Sequence, residues 1–224
     1  MSNKGEKKII IVFAPHPDDE TIGCGGTIAT KIAAGYEVVI VVLTNGENLF
    51  SVVLDIHSNP SPSEIGELRV NETIRATELL GVPRENIQFW EYEDGSLERD
   101  TKEVTEKVLH LVHEKLPAEV YCHSKYEAHK DHRATHEIVS RACEVFDGSI
   151  KKYQYITSLK YGLTLDDLKE DKVEVDISAH LSLKEKALDQ FQSHLGKLYD
   201  CQRESLIPDF KGYLTGVETF LIDD

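Results

Sequence analysis

The chain has 224 residues, 40% of them hydrophobic and 29% charged, enough to bury a full core, and is read here as one domain over 1–224. Its 40 Asp and Glu against 25 Lys and Arg give a formal net charge of −15, which argues against general binding to phosphate backbones or anionic membranes. The opening MSNKGEKK has no apolar signal core. The longest apolar runs, IIIVFA and VVIVVL, fall far short of the roughly 20 residues that span a bilayer.

In chain order, KIIIVFA (8–14) is a continuous apolar run, as expected of a strand buried on both faces. TIATKIAAG follows with Ile28, Ala29, Ile32 and Ala33 at helical spacing and Gly35 as a stop. YEVVIVVLTNG (36–46) reads as a second buried strand, and SNPSPSEIG as a polar loop whose prolines and serines oppose regular structure. A helix over ELRVNETIRATELLGV, ended by Gly81, leads to a third strand, NIQFWEY. Residues 101–116 form an amphipathic helix with Val104, Val108, Leu111 and Val112 on one face.

AEVYCHS (118–124) is a fourth strand, and DHRATHEIVSRACEVF another helix. The last third is less regular: QYITSLKYG and KVEVDIS read as strands, LSLKEKALDQFQSHL as a helix, GVETFLID as a closing strand. Strand–helix alternation predicts an α/β fold, a Rossmann-like, mostly parallel sheet with helices on both faces and the C-terminal strands added at an edge or as a small subregion. The scattered cysteines, Cys24, Cys122, Cys143 and Cys201, make no CxxC pair and read as reduced thiols. A cytoplasmic protein with no nucleic-acid or membrane partner is expected.

Ligands of open α/β sheets bind beyond the carboxyl ends of the strands. Three polar clusters fall there: His16-Pro17-Asp18-Asp19-Glu20, Asp94-Gly95, and His123 through His132. Pro17 biases His16 toward an extended backbone, so the chain turns within PDD and both aspartates address one site. A histidine from HKDH would complete an N,O,N set, and three ligands with one open position is the arrangement of a catalytic zinc. Such an ion brings the pKa of a water molecule to about 7. One aspartate then binds metal while the other takes a proton from that water. One histidine binds metal while the other donates to an oxyanion. The residue pattern alone leaves both divisions open.

Plainer readings compete at several positions. His132 and His136 stand at i, i+4 but lack the glutamate of HExxH. His110 and His113 are expected to face solvent, while His57, His180 and His194 have no ligand-spaced partner. Cys24, within GCGG, reads as a small residue in a tightly packed first helical turn. GCGG is not GxGxxG, and LTNG rather than an acid closes the second strand, so dinucleotide binding is poorly supported.

APHPDDETIGCGGTIA resembles the opening motif of the PIG-L/LmbE-type de-N-acetylase family. HKDHRATHEIV is similar to its HxDH motif, RVNETIRATELLGV to its intermediate R-x-x-E pattern, and EDG at 93–95 to its D-G loop. The resemblance implies a Rossmann-like, zinc-dependent hydrolase that removes acetyl groups from N-acetylated amino sugars, which are small-molecule substrates. By motif position it implies His16, Asp19 and His132 as zinc ligands, Asp18 as general base, His129 as oxyanion donor and Asp131 as its orienting partner. It places Arg69 and Asp94 on sugar hydroxyls. Related enzymes often assemble, so a homo-oligomer is possible by analogy.

Some members carry a tyrosine two residues before the first histidine of HxDH. Here Glu127 stands there, with Tyr126 beside it, and an acid facing an oxyanion predicts that Glu127 turns away. The loop at 47–66 is expected to overhang the crevice and shape substrate choice. Two other functions fit the residues: an amidase acting on a sugar–thiol conjugate, and a metal-free α/β binding module.

Overall fold

A computed structural model describes residues 8–196, 198–200, 202, 206 and 210–222. The apolar runs become the centre of a sheet: β1 (Ile9–Ala14) pairs in parallel with β2 (Glu37–Thr44) and β4 (Glu119–His123). Side chains alternate across a strand. Ile10 and Val12 therefore join one core cluster, while Ile11 and Phe13 join another on the opposite face. All four are fully buried, and each such side chain is worth about 1.5–3 kcal/mol relative to exposure.

The first cluster is covered by α1 (Asp19–Ala33), α3 (Pro62–Leu79) and α6 (Leu181–Leu188), the second by α4 (Thr101–Lys115) and α5 (Lys130–Val145). With β3 (Ile87–Tyr92), β5 (Lys151–Tyr155), β6 (Asp171–Asp176) and β7 (Val217–Ile222), the sheet order is β3-β2-β1-β4-β5-β7-β6. The first five strands run parallel, and β7 runs antiparallel to β5 and β6. This is the expected mostly parallel α/β sheet, with the C-terminal strands at one edge. Its strand order reverses between β1 and β4, which is where such sheets bind ligands.

Glycine sets how closely α1 lies on its neighbours. A Cβ at Gly23 would collide with the Tyr155 ring, and one at Gly26 with Ile177. Cys24 and Cys122 are fully buried, and Cys24 and Cys143 are free thiols. Cys201 and residues 1–7 lie outside the described residues. Among the described residues no helix is long and apolar enough to cross a membrane.

The boundaries differ from the sequence reading in three places. The SNPSPSEIG segment is helical from Pro62, because Ser61 Oγ accepts the Glu64 N–H while the Glu64 carboxylate accepts the Ser61 N–H. Proline suits a first helical position, where no N–H is needed. Upstream, the short α2 (Leu49–Leu54) buries Phe50, its ring 5.8 Å from that of Tyr199.

The fifth strand spans Lys151–Tyr155, not 154–162, because it pairs residue for residue with the five positions of β4. The helix expected over 181–195 breaks after Leu188 and resumes as α7 (Gln192–Leu195). Phe191 leaves helical geometry at ψ 66° and buries its ring completely.

Candidate active site

Beyond the end of β1 the chain must turn before α1 begins, and Asp18 makes that turn at φ 113°. Such a conformation costs a non-glycine residue about 1–3 kcal/mol and persists only where its surroundings hold it. Thr21 and Ile22 donate their N–H groups to the Asp18 carbonyl at 2.9 and 2.8 Å. Glu20, fully buried, accepts the Asp18 N–H at 3.2 Å and the Thr21 hydroxyl at 2.7 Å. Burial, with the Asp18 charge nearby, raises Glu20 to about 8. The last residue of the PHPDDE stretch thus fastens the turn.

The turn brings His16 and Asp19 together, and α5 adds His132. His16 Nδ1, Asp19 Oδ2 and His132 Nε2 form a triangle with edges of 3.1, 3.4 and 3.3 Å. A tetrahedral dication with nitrogen and oxygen ligands at about 2.0–2.1 Å separates neighbouring donors by about 3.3–3.4 Å. The triangle has the size of one face of such a site, and the N,O,N set suits a metal ion.

The outer nitrogens of the two histidines lie against carboxylates, the arrangement that fixes a metal-ligating imidazole in one tautomer. His16 Nε2 lies 3.2 Å from Asp94 Oδ1 and 3.4 Å from Asp131 Oδ2. His132 Nδ1 lies 3.1 Å from Glu127 Oε2. Asp19 turns its other oxygen to His123 Nε2 at 3.4 Å. Burial disfavours charge on both histidines of the triangle. The facing acids overrule it, drawing His16 well above its ordinary value and His132 to about 9. The point where the donors meet therefore favours positive charge.

Asp18 stands beside this triangle. Its Oδ2 receives Arg69 Nη2 at 3.3 Å and lies 3.1 Å from His194 Nε2. Burial raises the Asp18 carboxyl, Arg69 lowers it, and the balance is about 7. His129, at the N-terminus of α5, packs its ring edge-on against His16 with centroids 4.7 Å apart. Its Nδ1 accepts the Asp131 N–H at 3.2 Å. Desolvation, with the charges on His16 and His132, lowers His129 to about 4. The neutral ring therefore carries its proton on Nε2, as a hydrogen-bond donor.

Several residues make contacts other than those implied by the resemblance. The Asp131 carboxylate accepts the N–H groups of Gly95 at 2.7 Å and Leu97 at 3.3 Å, and it meets His129 only through its own backbone N–H. Arg69 is buried, with Nη1 on the Gly46 carbonyl and Nη2 on the Pro17 carbonyl, both at 2.8 Å. Asp94 is clamped by the start of the 47–66 segment: it accepts the Asn48 N–H at 3.0 Å and donates its own N–H to Glu47 at 2.9 Å. Both residues that the resemblance sets on sugar hydroxyls thus also brace the site, Arg69 at Asp18 and Asp94 at His16.

Glu127 faces away from the donor triangle, standing behind His132 at its outer nitrogen. It is fully buried, bonded to His132 and to the N–H groups of Thr157 at 2.7 Å and Ser158 at 3.0 Å. Serving the outer nitrogen of a ligand histidine, it is compatible with the site where an acid facing an oxyanion would not be. Tyr126 points elsewhere, its hydroxyl on Glu170 at 2.6 Å. His110 and His113 are exposed, and His136 Nδ1 lies 3.2 Å from the His123 carbonyl.

His123, the first residue of the third polar cluster, is fully buried at the end of β4. Two further neighbours carried no local signal in the sequence: Thr157 lies between His123 and Glu127, and His194 comes from α7. Neither has a ligand-spaced partner nearby in the chain.

A family model described as GlcNAc-PI de-N-acetylase (PIG-L) matches residues 11–143. The diacetylchitobiose deacetylase of Thermococcus kodakarensis is 32% identical over 129 residues, 56% of this chain and 45% of that protein. A protein of Bacillus anthracis named probable N-acetyl-alpha-D-glucosaminyl L-malate deacetylase 2 is 33% identical over 144 residues, 62% of this chain and 60% of that protein. The matches thus span about half the length of these curated relatives. Among solved structures, N,N'-diacetylchitobiose deacetylase from Pyrococcus horikoshii, complexed with its inhibitor MPG, is similar at a TM-score of 0.73 and 22% identity. That likeness covers 97% of this chain and 84% of the other, and it concerns the fold.

Proposed function

This chain belongs to the PIG-L family, and from that premise we propose that it is a zinc-dependent amidase that removes the acetyl group from an N-acetylated amino sugar. The products are acetate and the free amine. The observation that carries this reading is the triangle of His16 Nδ1, Asp19 Oδ2 and His132 Nε2, at 3.1–3.4 Å, with a carboxylate and a neutral imidazole beside it. Zinc held by those three atoms would polarise the acetyl carbonyl and acidify the attacking water.

The chain's own groups do the rest. Asp18 takes the proton of the attacking water as general base. The Nε2–H of His129 donates to the carbonyl oxygen as it becomes negative. The proton gained by Asp18 passes to the leaving nitrogen. Asp94, Asp131 and Glu127 hold the ligand imidazoles in the tautomer that turns a lone pair inward.

The test is acetate release from a panel of N-acetylated amino sugars that includes N,N'-diacetylchitobiose, with the protein zinc-loaded and after chelation. Release that chelation stops and zinc restores supports the reading. Cleavage of a sugar–thiol conjugate with no acetate release from the sugars would keep the chemistry and replace the substrate. Protein that retains no metal through any purification would point to a binding module instead.

A further inference from the structure

The general base is braced by a residue that lies outside the 11–143 match. His194, on α7, is 6% exposed, and its Nε2 lies 3.1 Å from Asp18 Oδ2. The same oxygen receives Arg69 Nη2 at 3.3 Å. Two nitrogen groups thus converge on Oδ2 from different elements. The Arg69 bond and the His194 contact both fall on Oδ2, and the partner oxygen, Oδ1, is the one left to meet a water molecule.

The two braces are themselves tied together. Ser193 donates its hydroxyl to Glu72 Oε2 at 2.6 Å and its N–H to Glu72 Oε1 at 2.9 Å. Glu72 follows Arg69 by one helical turn of α3, on the same face. His194 Nδ1 lies 3.3 Å from Ser193 Oγ. Gln202 adds a bond to the Ser193 carbonyl at 2.9 Å. One clasp, Glu72 to Ser193, thus sets α3 and α7 so that Arg69 and His194 reach the same oxygen. Burial, with the Arg69 charge beside it, keeps His194 neutral.

We propose that His194 is a positioning residue for the general base: its Nε2–H holds Asp18 Oδ2 against Arg69 so that Oδ1 is presented to the attacking water. A base displaced by an ångström costs on the order of 100-fold in rate. This rests on the assignment of Asp18 as base in the deacetylation reading.

The experiment compares zinc-loaded wild type, His194→Ala and His194→Gln, whose side-chain amide retains an N–H donor. His194→Ala is expected to lose about 10- to 100-fold in kcat, with KM and zinc content unchanged, and His194→Gln to recover most of that loss. Wild-type kcat in His194→Ala, or a His194→Gln enzyme as slow as His194→Ala, overturns the proposal. Crystal structures of the two variants give a readout that needs no substrate. The Asp18 carboxylate is expected to rotate in His194→Ala and to keep its place in His194→Gln; an unmoved Asp18 in His194→Ala overturns the proposal. A wild type that releases no acetate from any sugar would sink the deacetylation reading instead, and the structural comparison would still decide this one.

Discussion

Two buried charged clusters in this protein are satisfied in opposite ways. Lys184, 1% exposed, gives its ammonium to Glu218 at 2.7 Å and to the Ile22 carbonyl at 2.8 Å. Glu218 accepts in addition the N–H groups of Gly26 and Thr27 at 2.9 and 2.8 Å. The ammonium and both backbone N–H groups face acceptors there, and the pair closes α6 and β7 onto α1.

At the end of β1 the outer nitrogens of His16 and His132 are engaged by Asp94, Asp131 and Glu127. The inner nitrogens and one Asp19 oxygen are left facing each other across 3.1–3.4 Å. Two imidazole nitrogens and a carboxylate oxygen aimed at one point make a donor set that suits a metal ion. Burial and charge are common to both clusters; the direction of donors and acceptors separates a structural pair from a ligand site.

Substitutions on each side sharpen or break that contrast. The largest effect is expected from His132→Ala, which removes one corner of the triangle: bound zinc and acetate release should both disappear, read by elemental analysis and turnover. A fully metallated His132→Ala protein would break the comparison. Asp18→Asn should keep the metal and lose on the order of 100- to 10,000-fold in kcat, since only the base is removed.

Lys184→Met should leave zinc content unchanged and cost about 3–5 kcal/mol of stability, because the Glu218 carboxylate stays buried without its partner; denaturant unfolding reads this. Glu127→Gln is expected to have the smallest effect. Zinc affinity should fall about 10- to 100-fold, as for other carboxylates behind a ligand histidine, measured by competition with a chelator.

The contrast also explains what could be read from the chain alone. β1 and β2 are plain in the sequence because strands buried on both faces need uninterrupted apolar runs. The ligand-bearing stretches are plain because HPDDE and HKDH concentrate imidazoles and carboxylates where the chain must turn.

Other features depend on cues of a different kind. The start of α3 rested on Ser61 and Glu64, a capping pair hidden among prolines and serines. The break at Phe191 is dictated by the core that receives its ring. His123 and His194 meet Asp19 and Asp18 only through the fold, which brings β4 and α7 to the end of β1. His194 meets Asp18 across 176 intervening sequence steps, and no local pattern marks such a contact.

The central claim is that His16, Asp19 and His132 hold the metal while Asp18, beside them, moves the proton. It is tested most directly by measuring zinc content and acetate release together in wild type and Asp18→Asn. The account predicts equal zinc in both proteins, with acetate released by the wild type and almost none by the variant. An Asp18→Asn protein that hydrolyses the same amide at the wild-type rate would contradict it.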